Sequence, residues 1–338
     1  MQNSFKHIQS AHCENGVTTS LLNYYGCDFM NEPLAFGLGS GLFYIHIPFV
    51  KMNNGPGISF RTMPGAIFKR TCKSLHINII KKKFKDREEA QQFLDQKISE
   101  NIPVGCQVGV FNLPYFPDKY RFHFNAHNII VYGKENGRYL VSDPIMEDVT
   151  SLSAEELERV RFAQGWFAPK GHIYYPENAG EKDMNMLRKG IVKGIKRNVR
   201  DMLRIPGHIA GVSGIVYTSK QIRKWRDKLG GRKAGLYLGQ IVRMQEEIGT
   251  GGGGFRFIYA AFIEQASEYL SDDKLLKISD DFTKAGDLWR NSAAQMAGIY
   301  KNRLTEQKDF NVVADMLLEI SETEKAAFNK LSKLKFNI

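Results

Sequence analysis

The sequence predicts two folded domains, an α+β one followed by an all-α one, and three observations point there. The chain has 338 residues, more than one ordinary compact domain holds and enough for two with separate cores. Its first half carries short runs of branched and aromatic residues bounded by turn signals, as strands are. Its second half carries long helical patterns with few strand signals. The texture changes at Asn178-Ala-Gly, which sets the expected domains at residues 1–178 and 179–338.

In the first half, Asn128–Tyr132 (NIIVY) and Tyr139–Val141 (YLV) read as strands joined across a turn at Lys134–Gly137 (KENG). Thr18–Tyr25 lacks breakers and predicts a helix. Arg87–Glu100 predicts another, with Ala90, Phe93, Leu94 and Ile98 at helical spacing. In the second half, Leu187, Ile191, Ile195, Val199, Met202 and Leu203 form an apolar stripe. Arg188, Lys189, Lys193, Lys196, Arg197 and Arg200 cover the other side, and Pro206 stops this basic amphipathic helix. Further helices are expected over about 220–228, 236–248, 255–270, 274–299 and 312–334.

An apolar share of 43% and a charged share of 25% are those of a globular protein rather than a disordered one. No run of 18 apolar residues predicts a membrane span, and the first ten residues lack the apolar core of a signal peptide, which points to the cytoplasm. The net charge of +11 lies mostly after residue 178, where 28 Lys/Arg face 19 Asp/Glu. Such asymmetry suggests an acidic partner. Nucleic acid is disfavoured, because the basic strip has no interleaved aromatics for stacking. Cys13, Cys27, Cys72 and Cys106 show neither CxxC pairs nor zinc-finger spacing, so they read as reduced thiols, three of them buried core residues.

Cys13 stands apart, in the polar, glycine-containing segment Ser10-Ala-His-Cys-Glu-Asn-Gly ahead of a helix. A thiol at a helix N-terminus feels partial positive charge, which favours the thiolate. A nucleophilic thiol also needs an imidazole base and a group to orient that base. His127 opens a buried strand, and Asp143 closes the next one, sixteen residues later. A hairpin between the two strands would bring these side chains together, and Pro144 holds Asp143 extended. From the residues alone, four cysteines and eight histidines leave other combinations open.

Several words of the chain resemble a known family: His12-Cys13, Thr18-Thr-Ser-Leu21, Phe36-Gly-Leu-Gly-Ser-Gly-Leu42, Leu113-Pro-Tyr115, His123-Phe124, His127 and Ser142-Asp-Pro144. Together they resemble the N-terminal domain of butirosin biosynthesis protein H. Gly251-Gly-Gly-Gly-Phe-Arg256 resembles the helical domain that accompanies it. The resemblance implies a papain-like, cysteine-protease-type α+β domain with Cys, His and Asp in that chain order, which carries the nucleophile to Cys13, the base to His127 and the orienting acid to Asp143. It also implies transfer of an acyl group from an acyl carrier protein thioester to an amine. One departure matters: papain-like enzymes usually keep a glutamine oxyanion donor about six residues before the nucleophile, where this chain has His7, with Gln9 nearer.

Gln9, His12, Gly39, Ser40 and His123 are candidate substrate contacts, although His12 also reads as a structural hydrogen-bonder and the glycines as turns. Gly249–Gly254 formally matches GxGxxG, but a helical pattern precedes it and no GK[ST] follows, so neither a Rossmann turn nor a P-loop is expected. Gly251, Gly252, Gly253 and Arg256 could hold a phosphate such as that of a phosphopantetheine arm. No metal site is expected, since His123, His127 and Asp143 lack a HExxH context. The basic helix reads as a solvated face first, then as a dock for an acidic acyl carrier protein, which fits the family resemblance, and last as a membrane-surface or nucleic-acid contact; a small-molecule amine is the other partner, with room for a homo-oligomer. The same triad could serve a cysteine peptidase or amidase, and a papain-like shell could act as a non-catalytic binding module.

Overall fold

A computed structural model describes residues 5–52, 55–118, 121–178 and 183–336. In chain order the first half holds α1 (Cys13–Tyr24), α2 (Glu32–Leu38), β1 (Leu42–Met52), β2 (Gly55–Arg61), α3 (Ala66–Ser74), β3 (Ile79–Lys82), α4 (Arg87–Ser99), β4 (Val104–Val108), β5 (His127–Glu135), β6 (Arg138–Ser142), β7 (Thr150–Leu152), α5 (Ala154–Arg161) and β8 (Ile173–Pro176). The second half holds α6 (Met184–Leu203), α7 (Gly211–Leu229), α8 (Gly231–Val242), α9 (Arg256–Leu270), α10 (Lys274–Tyr300) and α11 (Gln307–Lys333).

These elements form two compact units, and the chain is shared between them differently from the expected cut. The first unit comprises residues 1–35 and 67–183; the second comprises 36–66 and 184–338. Residues 36–66, expected in the first domain, thus belong with the helices. The boundary expected near residue 180 lies among residues 179–182, outside the described ones.

The first unit is built on an antiparallel six-stranded sheet in the order β3-β8-β4-β5-β6-β7. Strand alternation sorts its faces. Cys106, Ile129, Val131 and Val141 point into one core with Ala90 and Leu94 of α4 and Leu157 and Val160 of α5. On β5, Asn128 and Ile130 alternate to the opposite side, and α1 packs on β5, β4 and β8. The β5–β6 turn is Asn136-Gly137, both with positive φ (50° and 77°), as a two-residue hairpin turn of right-handed twist requires.

Helix α1 starts five residues earlier than the sequence suggests. The reason is local: the His12 ring accepts a hydrogen bond from the Asn15 N–H (3.3 Å) and so caps the helix, a role the usual list of capping residues does not predict. Helix α5 opens on a capping box, in which Ser153 and Glu156 each satisfy the other's backbone N–H.

The C-terminal part of the second unit, residues 184–336, is helical as expected, and it packs around one hairpin, β1–β2, contributed by residues 36–66. Tyr44 and Phe60 of the hairpin meet the buried Trp289 of α10 at 5.8 and 5.1 Å between ring centroids. The Tyr44 hydroxyl pairs with Thr218 Oγ1 of α7 at 2.7 Å, and Asn198 of α6 donates to the Leu42 carbonyl at 2.6 Å. At its centre the buried Arg256 guanidinium forks onto Glu324 (2.8 and 3.0 Å), which also accepts from the Trp289 indole (2.6 Å). On α6, Leu187, Ile191, Ile195, Val199 and Met202 are buried, while Arg188, Lys189, Lys193, Lys196 and Arg200 are exposed, as the amphipathic pattern demands. Among the described residues no helix is long and apolar enough to cross a membrane.

Candidate active site

The first unit brings Cys13, His127 and Asp143 together by folding three chain segments onto one spot. Cys13 is the first residue of α1, where the N–H groups of the opening turn favour a thiolate. His127 opens β5 and Asp143 follows the end of β6, one hairpin apart.

Three contacts fasten the start of the chain to the Asp143 turn. The Ser10 N–H donates to the Pro144 carbonyl (2.7 Å). One ring nitrogen of His7 pairs with Ser142 Oγ (2.7 Å) and the other with the Met146 carbonyl (3.1 Å). Gly16, one turn beyond Cys13, lies so close to Pro144 that a Cβ there would come within 2.3 Å of the proline Cβ. The glycine is what lets α1 reach this turn.

His127 is buried, and its Nε2–H donates to Asp143 Oδ2 at 2.7 Å. That leaves Nδ1 for Cys13, to which the ring is also hydrogen-bonded. Burial alone would disfavour a charged imidazole. The Asp143 and Cys13 charges and the hydrogen bonds to both outweigh it and raise the His127 pKa to about 10, which favours a thiolate–imidazolium pair. Asp143 is held in turn by the Tyr115 hydroxyl (3.0 Å to Oδ2) and the Ile145 N–H (3.3 Å to Oδ1). Burial, then the charge of Asp143 and the bond to it, push the Tyr115 hydroxyl up, so it stays a donor. With a nucleophile, a base and an oriented carboxylate in contact, the site can accept an acyl group on sulfur.

The family comparisons cover the same residues. The description "Butirosin biosynthesis protein H, N-terminal" matches residues 12–144, a span that includes all three side chains. The description "Domain of unknown function (DUF4872)" matches residues 155–331, more than half of the chain. The chain belongs to the butirosin biosynthesis protein H-like family. The family match and the contacting Cys13, His127 and Asp143 side chains are those of a cysteine-dependent enzyme. Among solved structures, one described as a C39-like peptidase from Bacillus anthracis aligns at 15% identity and a TM-score of 0.37, covering 54% of this chain and 98% of its own. No curated protein matches the chain.

Each of the five proposed substrate contacts has a place of its own in the fold. His12 is the buried cap of α1. His123 is exposed and stacks on Phe111 at 4.2 Å. Gln9 is exposed. Gly39 and Ser40 fall in the second unit, where Ser40 bonds the Gly194 carbonyl at 3.5 Å. The neighbouring Gly37 and Gly41 give room to the Phe262 and Phe36 rings, so these glycines serve packing.

The phosphate-binding reading of Gly251, Gly252, Gly253 and Arg256 is also corrected. The N–H of Gly253 donates to the Glu246 carboxylate (3.1 Å) and that of Gly252 to Thr250 Oγ1 (3.0 Å). Arg256 is buried on Glu324 and donates to the Gly254 carbonyl (2.7 Å). The Gly252, Gly253 and Arg256 donors are thus occupied by acceptors of the protein itself.

The sequence reading missed four residues around the site. Tyr115 steadies Asp143. Glu32 accepts from the Ala11 and His12 N–H groups (2.9 and 2.8 Å) and from Asn15 (3.3 Å), fixing the turn before Cys13. Glu14 accepts from the Ile67 and Phe68 N–H groups (2.9 and 3.4 Å), tying α1 to the start of α3. Asn128 donates to Cys13 Sγ at 3.7 Å. A signal for Asn128 did exist: it is a polar residue inside an otherwise apolar strand, beside the histidine.

Proposed function

We propose that the protein is a cysteine acyltransferase. It takes an acyl group from a carrier-borne thioester onto Cys13 and passes it to an amine. The observation that carries this reading is the His127 ring, bonded at once to the Asp143 carboxylate and to Cys13. The Cys13 thiolate attacks the thioester carbonyl carbon, and the π electron pair moves onto oxygen. When the carbonyl re-forms, the carrier thiolate leaves and takes the proton from the His127 imidazolium. The now neutral ring removes a proton from the incoming amine as it attacks the Cys13 thioester, and the sulfur departs as thiolate. Asp143, steadied by Tyr115, orients the ring throughout. The exposed Lys189, Lys193 and Lys196 of α6 supply a positive strip that suits an acidic carrier protein.

Intact-protein mass spectrometry after exposure to an acyl carrier thioester tests the reading. An adduct of the acyl mass is expected on the wild type, absent in Cys13→Ala, and discharged faster when an amine is added. No adduct would overturn the reading. Discharge at one rate with or without amine would favour the peptidase or amidase alternative on the same triad.

A further inference from the structure

We propose that Asn128 is the side-chain oxyanion donor of this site, in the place that papain-like enzymes give to a glutamine ahead of the nucleophile. The proposal rests on the acyl-transfer reading above and deepens it. His7, at the expected glutamine position, spends both ring nitrogens on Ser142 and Met146, and Gln9 is exposed. The amide of Asn128 is buried, and its Nδ2 donates to Cys13 Sγ at 3.7 Å.

The orientation of that amide is set by its other partners. Nδ2 also donates to the Ala126 carbonyl (3.1 Å), which can only accept, so the atom facing it is the nitrogen. The Tyr174 hydroxyl donates to Oδ1 at 2.7 Å. Tyr174 stands on β8 and Asn128 on β5, with β4 between them. The ring crosses β4 over Gly105, where a Cβ would come within 2.6 Å of the tyrosine Cε2. One residue without a side chain thus lets the hydroxyl reach the amide across a whole strand.

When the thiolate attacks, the carbonyl π pair becomes an oxyanion on a carbon bonded to the sulfur. The carbon is bonded to the sulfur that the amide already touches, so an oxyanion formed on the Asn128 side of it comes within the roughly 3 Å at which such donors act. The amide N–H turned to sulfur at rest then turns to oxygen as charge develops there, and returns when the oxyanion collapses. The Cys13 backbone N–H is the second donor. Asn128 is therefore a catalytic residue, while Tyr174 and Gly105 position it.

The test compares two reactions of Cys13, only one of which develops an oxyanion. Acylation by an N-acetylcysteamine thioester does; alkylation by iodoacetamide, a displacement at saturated carbon, does not. In Asn128→Ala the acylation rate, followed by intact mass, should fall about 10²–10³-fold, the loss typical for one oxyanion donor, while alkylation, which loses only the resting amide–sulfur contact, should change far less. Tyr174→Phe, which keeps the ring, should show a smaller loss of the same selective kind. Wild-type acylation by Asn128→Ala would overturn the assignment alone, as would equal losses in both reactions, which would make Asn128 a support for the thiolate. A wild-type protein that alkylates at Cys13 yet takes no acyl group would overturn the acyl-transfer reading and the donor with it.

Discussion

His127 carries a charge that its burial resists, and the balance depends on the two groups it touches. Its pKa in the fold, about 10, lies above the ordinary histidine value of about 6.5. The stabilisation that its partners lend the imidazolium is therefore complete below about pH 6.5 and fades as pH climbs toward the raised value. Asp143→Ala removes one carboxylate from that balance, so the alkaline change in Cys13 reactivity should move to lower pH. Iodoacetamide labelling between about pH 5 and 11 would follow it, and an unmoved alkaline limb would show that Asp143 does not hold the proton. Read on the Cys13 peptide, the labelling is kept apart from that of Cys72, whose thiol burial pushes well up, and of Cys106, pushed up to about 11. Tyr115→Phe, which removes one bond to Asp143 and leaves its charge, should shift the limb less.

Helix α1 and the β5–β6 hairpin must meet closely for the site to exist, and Gly16 is the point of closest approach. Gly16→Ala places a methyl group within 2.3 Å of the Pro144 Cβ, and neither the helix backbone nor the proline ring yields easily. Overpacking of this kind costs about 1–3 kcal/mol. The strain falls between Cys13 and Asp143, so thioester acylation should drop by more than the melting temperature suggests; full activity in the variant would sink this account. Much of this element-level arrangement was legible in the sequence. The runs NIIVY and YLV with an Asn-Gly turn between them specify a hairpin, and a hairpin fixes the spacing of His127 and Asp143. The start of α1 was not legible, because its cap is a histidine ring, and neither was Asn128, whose function depends on a tyrosine two strands away. The glycine loop misled for a similar reason: its exposed-looking N–H groups find their anion in Glu246, whose position only the fold reveals.

At the scale of the whole molecule, a contiguous cut cannot separate the two units. The segment 36–66 carries an apolar run, LFYIHIPFV, and a shorter one, ISF, with Asn53-Asn-Gly55 between them, and such a pattern is the same whichever core receives it. Its packing decides: Leu42, Tyr44, Ile58 and Phe60 are almost fully buried, and within the second unit they meet Trp289, Thr218 and Asn198. A fragment of residues 1–183 would carry this hairpin without those partners. Each large side chain left in water forfeits about 1.5–3 kcal/mol of burial, against a total stability of about 5–15 kcal/mol for an ordinary domain. The fragment should lack fixed near-ultraviolet circular dichroism and bind a hydrophobic dye. The ends of the excised segment lie close together, since Thr71 of α3 donates to the Ala35 carbonyl at 3.0 Å. Replacing residues 36–66 by a short glycine–serine linker in the same fragment should therefore restore cooperative unfolding and retain alkylation at Cys13. Cooperative unfolding of the unmodified fragment, with the hairpin amides protected from exchange, would show instead that residues 36–66 can be buried without α6–α11 and that the division between the units lies elsewhere.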